Sequence, residues 1–264
     1  MADILYIPHG GGPLPLLGDA AHEKLVRFLQ EIPGRLGTPD AILVVSAHWE
    51  ELKPMVTSGK SPALIYDYSG FPEAAYALEY PAPGKPELAE RVVELVKAAG
   101  RTAWRHSQRG FDHGVYVPLK IMYPDASIPC RQLSLMSSLD PAEHLQLGKT
   151  LAGLRQENIL VLGSGFSFHN LKALILGDAS ERDTRNEQFQ QWLIDTCTRR
   201  IPEEERHQRL VAWESAPSSR YCHPREEHLL PLHVCCGMAQ SPGEMVFAEN
   251  VMGKKTCAFL WRKT

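Results

Sequence analysis

Continuous apolar runs alternate along this chain with stretches in which apolar positions recur every three or four residues. The runs Leu5–Pro8, Ala41–Ser46, Ile128–Leu135 and Ile159–Gly163 predict strands. Ala41-Ile42-Leu43-Val44-Val45 has no polar position, the pattern of a strand covered on both faces. Helical spacing predicts helices over Ala20–Ile32, where Leu25, Phe28 and Leu29 share a face, and over Pro86–Ala99, where Leu88, Val92, Val93 and Val96 do. Further helices are predicted over Val115–Met122, over Pro141–Arg155 with Asp140 as N-cap, over Arg185–Arg199, and over Pro224–Ala239 with proline in its first turn. Met245–Asn250 and Thr256–Trp261 flank Met252-Gly253-Lys254 and predict a terminal hairpin. This order implies the α/β class: a single domain, residues 1–264, with a central mixed, largely parallel sheet flanked by helices. The proline-rich stretch Phe71–Pro86 is predicted as a long surface loop holding a short helix, of a kind that often lines sites.

Composition narrows the function classes. With 264 residues, 44% of them hydrophobic, the chain can bury a sizeable core. A net charge of -3, with no block of like charge, gives a polyanion nothing to bind, so no nucleic-acid partner is expected. The start Met1-Ala2-Asp3-Ile4-Leu5-Tyr6 lacks the basic region of a signal peptide, and no apolar run approaches the roughly 20 residues that cross a bilayer, so no membrane partner is expected either. The six cysteines, Cys130, Cys197, Cys222, Cys235, Cys236 and Cys257, form no CxxC pair and no secreted framework; reduced thiols in a cytoplasmic protein are expected. Oligomeric state is not readable.

The chemistry lies in the eleven histidines. His9 follows the first predicted strand and precedes Gly10-Gly11-Gly12. His48 follows the second in Ser46-Ala47-His48-Trp49. His169 follows Ile159–Gly163 in Gly165-Phe166-Ser167-Phe168-His169-Asn170. In parallel α/β sheets ligands bind beyond the carboxyl ends of strands, so these three can converge although distant in sequence. A lone histidine is more often satisfied by the core or the solvent; three with the same placement point to a site for Fe(II), Zn or Cu. His22 and His144 fall within helical stretches without motif context and are not read as ligands. In Gly110-Phe111-Asp112-His113-Gly114, Asp112 is placed to orient a neighbouring imidazole. The segment Tyr221-Cys222-His223-Pro224-Arg225-Glu226-Glu227-His228-Leu229-Leu230-Pro231-Leu232-His233 adds three histidines and two carboxylates near a helix start. Pro231 is expected to kink that helix. Glu227 and His228 are adjacent, about 100° apart on a helix, so only one faces a common site. His228 borders the apolar run; Arg225 and Glu226 read as a solvated first turn. The chain has no Walker motif, no dinucleotide fingerprint, no G-x-S-x-G elbow and no HExxH spacing.

These residues resemble a family. Pro8-His9-Gly10-Gly11-Gly12-Pro13, Val44–Trp49, Tyr66-Asp67-Tyr68-Ser69-Gly70-Phe71-Pro72, Tyr80–Gly84, Phe111–Gly114, Met122-Tyr123-Pro124, Gly163-Ser164-Gly165 with His169-Asn170-Leu171, and His223–Leu232 run in the order of the class III extradiol dioxygenases, in particular the DOPA-4,5-dioxygenase-like branch related to the protocatechuate 4,5-dioxygenase catalytic subunit. The resemblance implies metal ligation by His9, His48 and His228, with Fe(II) as the working metal and Zn able to occupy the site in purified protein. It implies His169 as the acid/base residue, near enough to serve as a fourth ligand when substrate is absent, and His113 in the substrate pocket. The substrates implied are a small aromatic diol and O2, joined to give a ring-opened semialdehyde. The chain departs from the family in having Gly11 where many relatives have Ser. In the protocatechuate branch a carboxylate is the third ligand, which keeps Glu227 as the alternative to His228. Two rivals use the same site: a zinc hydrolase, and a non-catalytic metal-binding interaction protein such as the distantly similar Memo family.

Overall fold

The predicted apolar runs pair with one another at the middle of an eight-stranded sheet. In this computed structural model, which describes residues 3–176 and 182–262, the strands are β1 (Asp3–Pro8), β2 (Ala41–Glu51), β3 (Met55–Thr57), β4 (Trp104–His106), β5 (Cys130–Met136), β6 (Ile159–Gly165), β7 (Glu244–Val251) and β8 (Lys254–Trp261). Their spatial order is β4-β3-β5-β2-β6-β1-β8-β7. The four central strands β5, β2, β6 and β1 are mutually parallel; β3 and β8 join antiparallel on either side, and β7 closes the predicted hairpin with β8. The sheet is therefore mixed with a parallel centre. Ile4 to Ile7 and Ala41 to Val45 are completely buried, as two covered faces require.

The helices are α1 (Glu23–Glu31), α2 (Pro86–Ala98), α3 (His113–Met122), α4 (Pro141–Leu151), α5 (Leu171–Leu176), α6 (Thr184–Thr198), α7 (Glu203–Val211), α8 (Ser219–Cys222) and α9 (Leu230–Ala239). Asp140 caps α4 as predicted, its Oδ1 accepting from the Ala142 and Glu143 amides at 2.7 and 3.1 Å. The three-residue strands β3 and β4 and the short helices α5, α7 and α8 are not among the predicted elements. Those strands, α5 and α8 carry too few residues for a period to show, and α7 has only Leu210 and Val211 as apolar positions among its nine residues.

One predicted helix needs correction. Residues 224–229 form turns, and α9 begins at Leu230. Pro231 stands in its first turn, where a missing N–H costs nothing, so it starts the helix rather than kinking it. Residues 224–229 are thereby freed from helical geometry. The His228 carbonyl accepts instead from the Phe166 amide at 3.0 Å and the Tyr6 hydroxyl at 3.1 Å, tying this turn to β1 and to the exit of β6.

Candidate metal centre

The carboxyl ends of β1, β2 and β6 open side by side onto one rim of the sheet. His9 is the first residue past β1. Gly10 follows with φ +89°, and a Cβ there would stand 2.5 Å from Pro15 Cγ, so the chain turns away at once and leaves the imidazole at the rim. His48 is within β2, near its end, where the pairing with β5 shifts register between Val45 and Glu50. That irregularity turns the last residues of the strand towards the rim. Gly114, at the start of α3, lets the helix close on this strand: a Cβ would lie 2.6 Å from Ser46 Oγ and 3.1 Å from His48 Cδ2. His228 arrives from the turn before α9. The three rings meet. His48 Nε2 lies 3.0 Å from His9 Nε2 and 3.3 Å from His228 Nε2.

What these nitrogens carry follows from the far side of each ring. His9 Nδ1 is 3.1 Å from Ser164 Oγ. The Ser164 hydroxyl donates to the Gly114 carbonyl, for a reason written in the sequence. The helical donor for that carbonyl would be the amide of residue 118, and Pro118 has none. With its proton on Gly114, the Ser164 oxygen accepts from His9 Nδ1–H, and His9 Nε2 is left with a lone pair. His228 Nδ1 donates to Glu227 Oε1 at 2.8 Å, which leaves its Nε2 bare in the same way. Burial pushes the His9 and His48 imidazoles well below their ordinary pKa; burial, reinforced by neighbouring His169, brings His228 down to about 3. The bare Nε2 atoms of His9 and His228 both face His48 Nε2, and a cation among the three would engage the lone pairs of neutral imidazoles. Nitrogens ~2.1 Å from one ion stand ~3.0 Å apart at right angles and ~3.4 Å apart at the tetrahedral angle. The spacings of 3.0 and 3.3 Å fit that range, and the donor set suits a borderline transition metal.

His169 and Glu227 stand behind the trio. Glu227 Oε1 is 3.0 Å from His169 Nδ1 as well as 2.8 Å from His228 Nδ1, so the carboxylate braces both rings from the Nδ1 side. Burial acts to raise the Glu227 carboxyl, but the hydrogen bonds from His169 and His228 outweigh it and hold the group well below its ordinary range, as an anion. The His169 ring is stacked on His228, centroids 3.3 Å apart and planes 19° apart. In-plane lone pairs of two nearly parallel rings do not converge on one ion. His113 completes the cluster from the first turn of α3, its ring centroid 3.9 Å from that of His48. A single carboxylate oxygen, Asp67 Oδ1, accepts from both its amide, at 3.0 Å, and its Nδ1, at 2.9 Å. All five histidines line one cavity of about 890 Å³, whose other walls include Leu14, Phe71, Phe166, Leu174 and Met252.

Residues 4–258 match the family described as the catalytic LigB subunit of aromatic ring-opening dioxygenase. The chain belongs to this family. The LigB chain is 37% identical to a 4,5-DOPA dioxygenase extradiol of Beta vulgaris, over 94% of its own length and 90% of the relative's. It is 38% identical to a protein of the same description from Escherichia coli strain K12, over 86% and 82%. It is 36% identical to dioxygenase tasH of Hapsidospora irregularis, over 99% and 86%. A crystal structure of an uncharacterized protein from Escherichia coli K12 superposes with a TM-score of 0.81 at 31% identity, covering 98% of this chain and 99% of that one.

Against the sequence-based expectations, the LigB site brings His9, His48, His113, His169 and His228 together, with Glu227 beside them. It departs from them at four places. His48 is inside its strand, not after it. Glu227 and His228 both face the cavity, because the turn that carries them is not helical and the 100° separation does not apply. Asp112 orients no imidazole: its buried carboxylate accepts from Ser46 Oγ at 2.8 Å, from Arg109 at 3.2 Å and from the Gln132 amide. The carboxylate that holds His113 is Asp67, 46 residues upstream. His22 is more than a helical residue without context. Its Nε2 accepts from the Gly11 amide at 3.0 Å while its Nδ1 donates to Asp19 at 2.6 Å, fixing the loop that follows His9. Ser164 and Asp67 were within quoted motifs, but only their geometry assigns them work.

Proposed function

We propose that this LigB-family protein is an Fe(II)-dependent extradiol dioxygenase that opens the ring of a catechol-type substrate with O2 to give a ring-opened semialdehyde. His9, His48 and His228 would hold the metal through Nε2, with Glu227 as the brace of His228 rather than a ligand. Bound Fe(II) would pass electrons from the catecholate to O2 and make the catecholate less costly to form. The protein's own part is proton handling and placement. His169, polarised at Nδ1 by the Glu227 carboxylate 3.0 Å away, offers its other nitrogen to take a hydroxyl proton and later return it. His113, held by Asp67, would anchor a substrate oxygen. Leu14, Phe71, Phe166 and Leu174 exclude water from the ring.

One observation carries the reading: the Nε2 atoms of His9 and His228 lie 3.0 and 3.3 Å from His48 Nε2 on one side of a cavity, with His113 within 4.8 Å of His9 and His48 and His169 stacked flat on His228. The reading keeps His113 and His169 off the metal, which would leave to substrate the position that a structural zinc site closes with a fourth side chain. Six buried, free thiols agree with a cytoplasmic protein. Among the described residues no helix is long and apolar enough to cross a membrane. The test is anaerobic Fe(II) loading followed by an O2-uptake screen over substituted catechols, watching for a yellow product. O2 consumption that vanishes when Zn replaces Fe(II) is the expected result. O2-independent ester or amide hydrolysis by the zinc form would install the hydrolase, and metal binding without any turnover would favour an interaction protein.

A further inference from the structure

We propose that the substrate of this site is a catechol bearing an extended apolar substituent, which lies along the α5 wall of the cavity. The proposal rests on the ring-opening reading above and names the substrate class it takes.

Size gives the first argument. A cavity of about 890 Å³ lies near the top of the roughly 300–1,000 Å³ range of ligand pockets and is several times larger than one six-membered ring requires. Wall chemistry gives the second. Besides the histidines the cavity is lined by Phe71, Leu171, Leu174, Ile175 and Met252. Leu171 and Ile175 are 57% and 71% exposed, and Leu176 on the same six-residue helix is 75% exposed. Large apolar side chains gathered at a cavity rim mark a binding surface. Here the surface is continuous with the metal centre, so its occupant is the molecule that reaches that centre.

Charge gives the third. Among the described residues the lining holds one cation besides histidine, Arg225. Its guanidinium is bidentate to Glu50 at 2.6 and 2.7 Å and lies 3.4 Å from Glu227 Oε2. A carboxylate on the substrate would have to break that pair and face two carboxylates. An apolar substituent leaves the pair intact and removes α5 surface from water.

The experiment measures anaerobic binding by calorimetry, and in parallel kcat/KM from O2 uptake, for 4-methyl-, 4-propyl-, 4-pentyl- and 4-heptylcatechol and for L-DOPA with the Fe(II)-loaded protein. Affinity should rise about two- to fourfold per added methylene up to a limit set by the wall, with L-DOPA below 4-propylcatechol. Leu174→Ser/Ile175→Ser should flatten that slope, while Leu52→Ser, an exposed leucine outside the cavity lining, should not. A flat slope in binding, or L-DOPA binding tightest, overturns the proposal. So does a slope unchanged in the α5 variant whose sedimentation shows a dimer turned into monomer, since α5 would then be a subunit contact. Chain-length-dependent binding without O2 uptake would keep this inference and sink the dioxygenase reading instead.

Discussion

Ser164→Ala tests whether the tautomer of His9 is set where the structure sets it. The substitution removes one oxygen that serves two buried groups. His9 Nδ1–H loses its acceptor at 3.1 Å, and the Gly114 carbonyl loses the donor that stands in for the missing amide of Pro118. Each buried group left without a partner costs about 1–3 kcal/mol. The metal-free protein should therefore lose about 2–6 kcal/mol, a large part of a typical 5–15 kcal/mol stability. The metal should lose more than stability explains, because an unheld His9 can carry its proton on Nε2, where it blocks coordination. Removal of such a supporting partner costs 10–100-fold in affinity, about 1.4–2.7 kcal/mol. The assay is Fe(II) or Zn competition against a chromophoric chelator, alongside thermal unfolding with and without metal. Pro118→Ala is the companion. It restores a helical donor to Gly114 and removes a proline from a helix interior, so the helix should gain stability. It also releases the Ser164 proton to compete for His9 Nδ1, so affinity should fall, by less than about tenfold. A folded Ser164→Ala protein with wild-type metal affinity would refute the tautomer argument outright.

The other expectations are briefer. His9→Ala and His48→Ala should each abolish stoichiometric metal by elemental analysis, whereas His144→Ala should keep it and His22→Ala, which loosens only the Gly11 loop, should keep a measurable share. His228→Ala should lose far more metal than Glu227→Ala; an empty Glu227→Ala protein would move the third ligand to the carboxylate. His169→Ala should retain iron and bind catechol anaerobically, yet lose about 10²–10⁴-fold in turnover, the worth of a positioned acid/base. His144, which burial lowers from 6.5 to about 4, donates through Nδ1 to Asp140 O and accepts from the Met136 amide. Its folded-state pKa lies below the unfolded one, so its contribution is complete above pH 6.5 and is lost as pH falls towards 4, by about 3 kcal/mol in all. Acid titration of chemical stability should show that limb, and His144→Gln should flatten it.

The parts of this protein that could be read from sequence are those with a period. Ala41–Val45 announces a covered strand, and His9 beyond Pro8 is placed at a strand end by counting alone. The convergence of His9, His48 and His169 follows from parallel topology, which the alternation of strands and helices already implied. The failures share one cause. Pro231 reads as a kink only if the helix begins at Pro224; with residues 224–229 in turns instead, the angular argument separating Glu227 from His228 disappears. Asp112 is next to His113 in sequence, yet its carboxylate is taken up by Ser46, Arg109 and Gln132. The acceptor came from a loop 46 residues upstream, a distance no local rule spans.

The same comparison separates what is rigid here from what is variable. His9, His48 and Ser164 sit on or directly beyond β1, β2 and β6, whose pairing register fixes them to one another through backbone hydrogen bonds. Ligand geometry within a few tenths of an ångström needs that kind of support. The walls that meet the rest of a substrate come instead from the loop holding Phe71, from the short helix α5 and from Met252 at the tip of the terminal hairpin. Gly11 ties the two regions together: a Cβ there would stand 2.9 Å from Met252 Sδ, so the glycine lets the hairpin tip close against the metal loop. A larger residue at this position would push the methionine back and open the cavity on that side. Substitution at Gly11 should accordingly change which catechols fit before it changes whether metal binds.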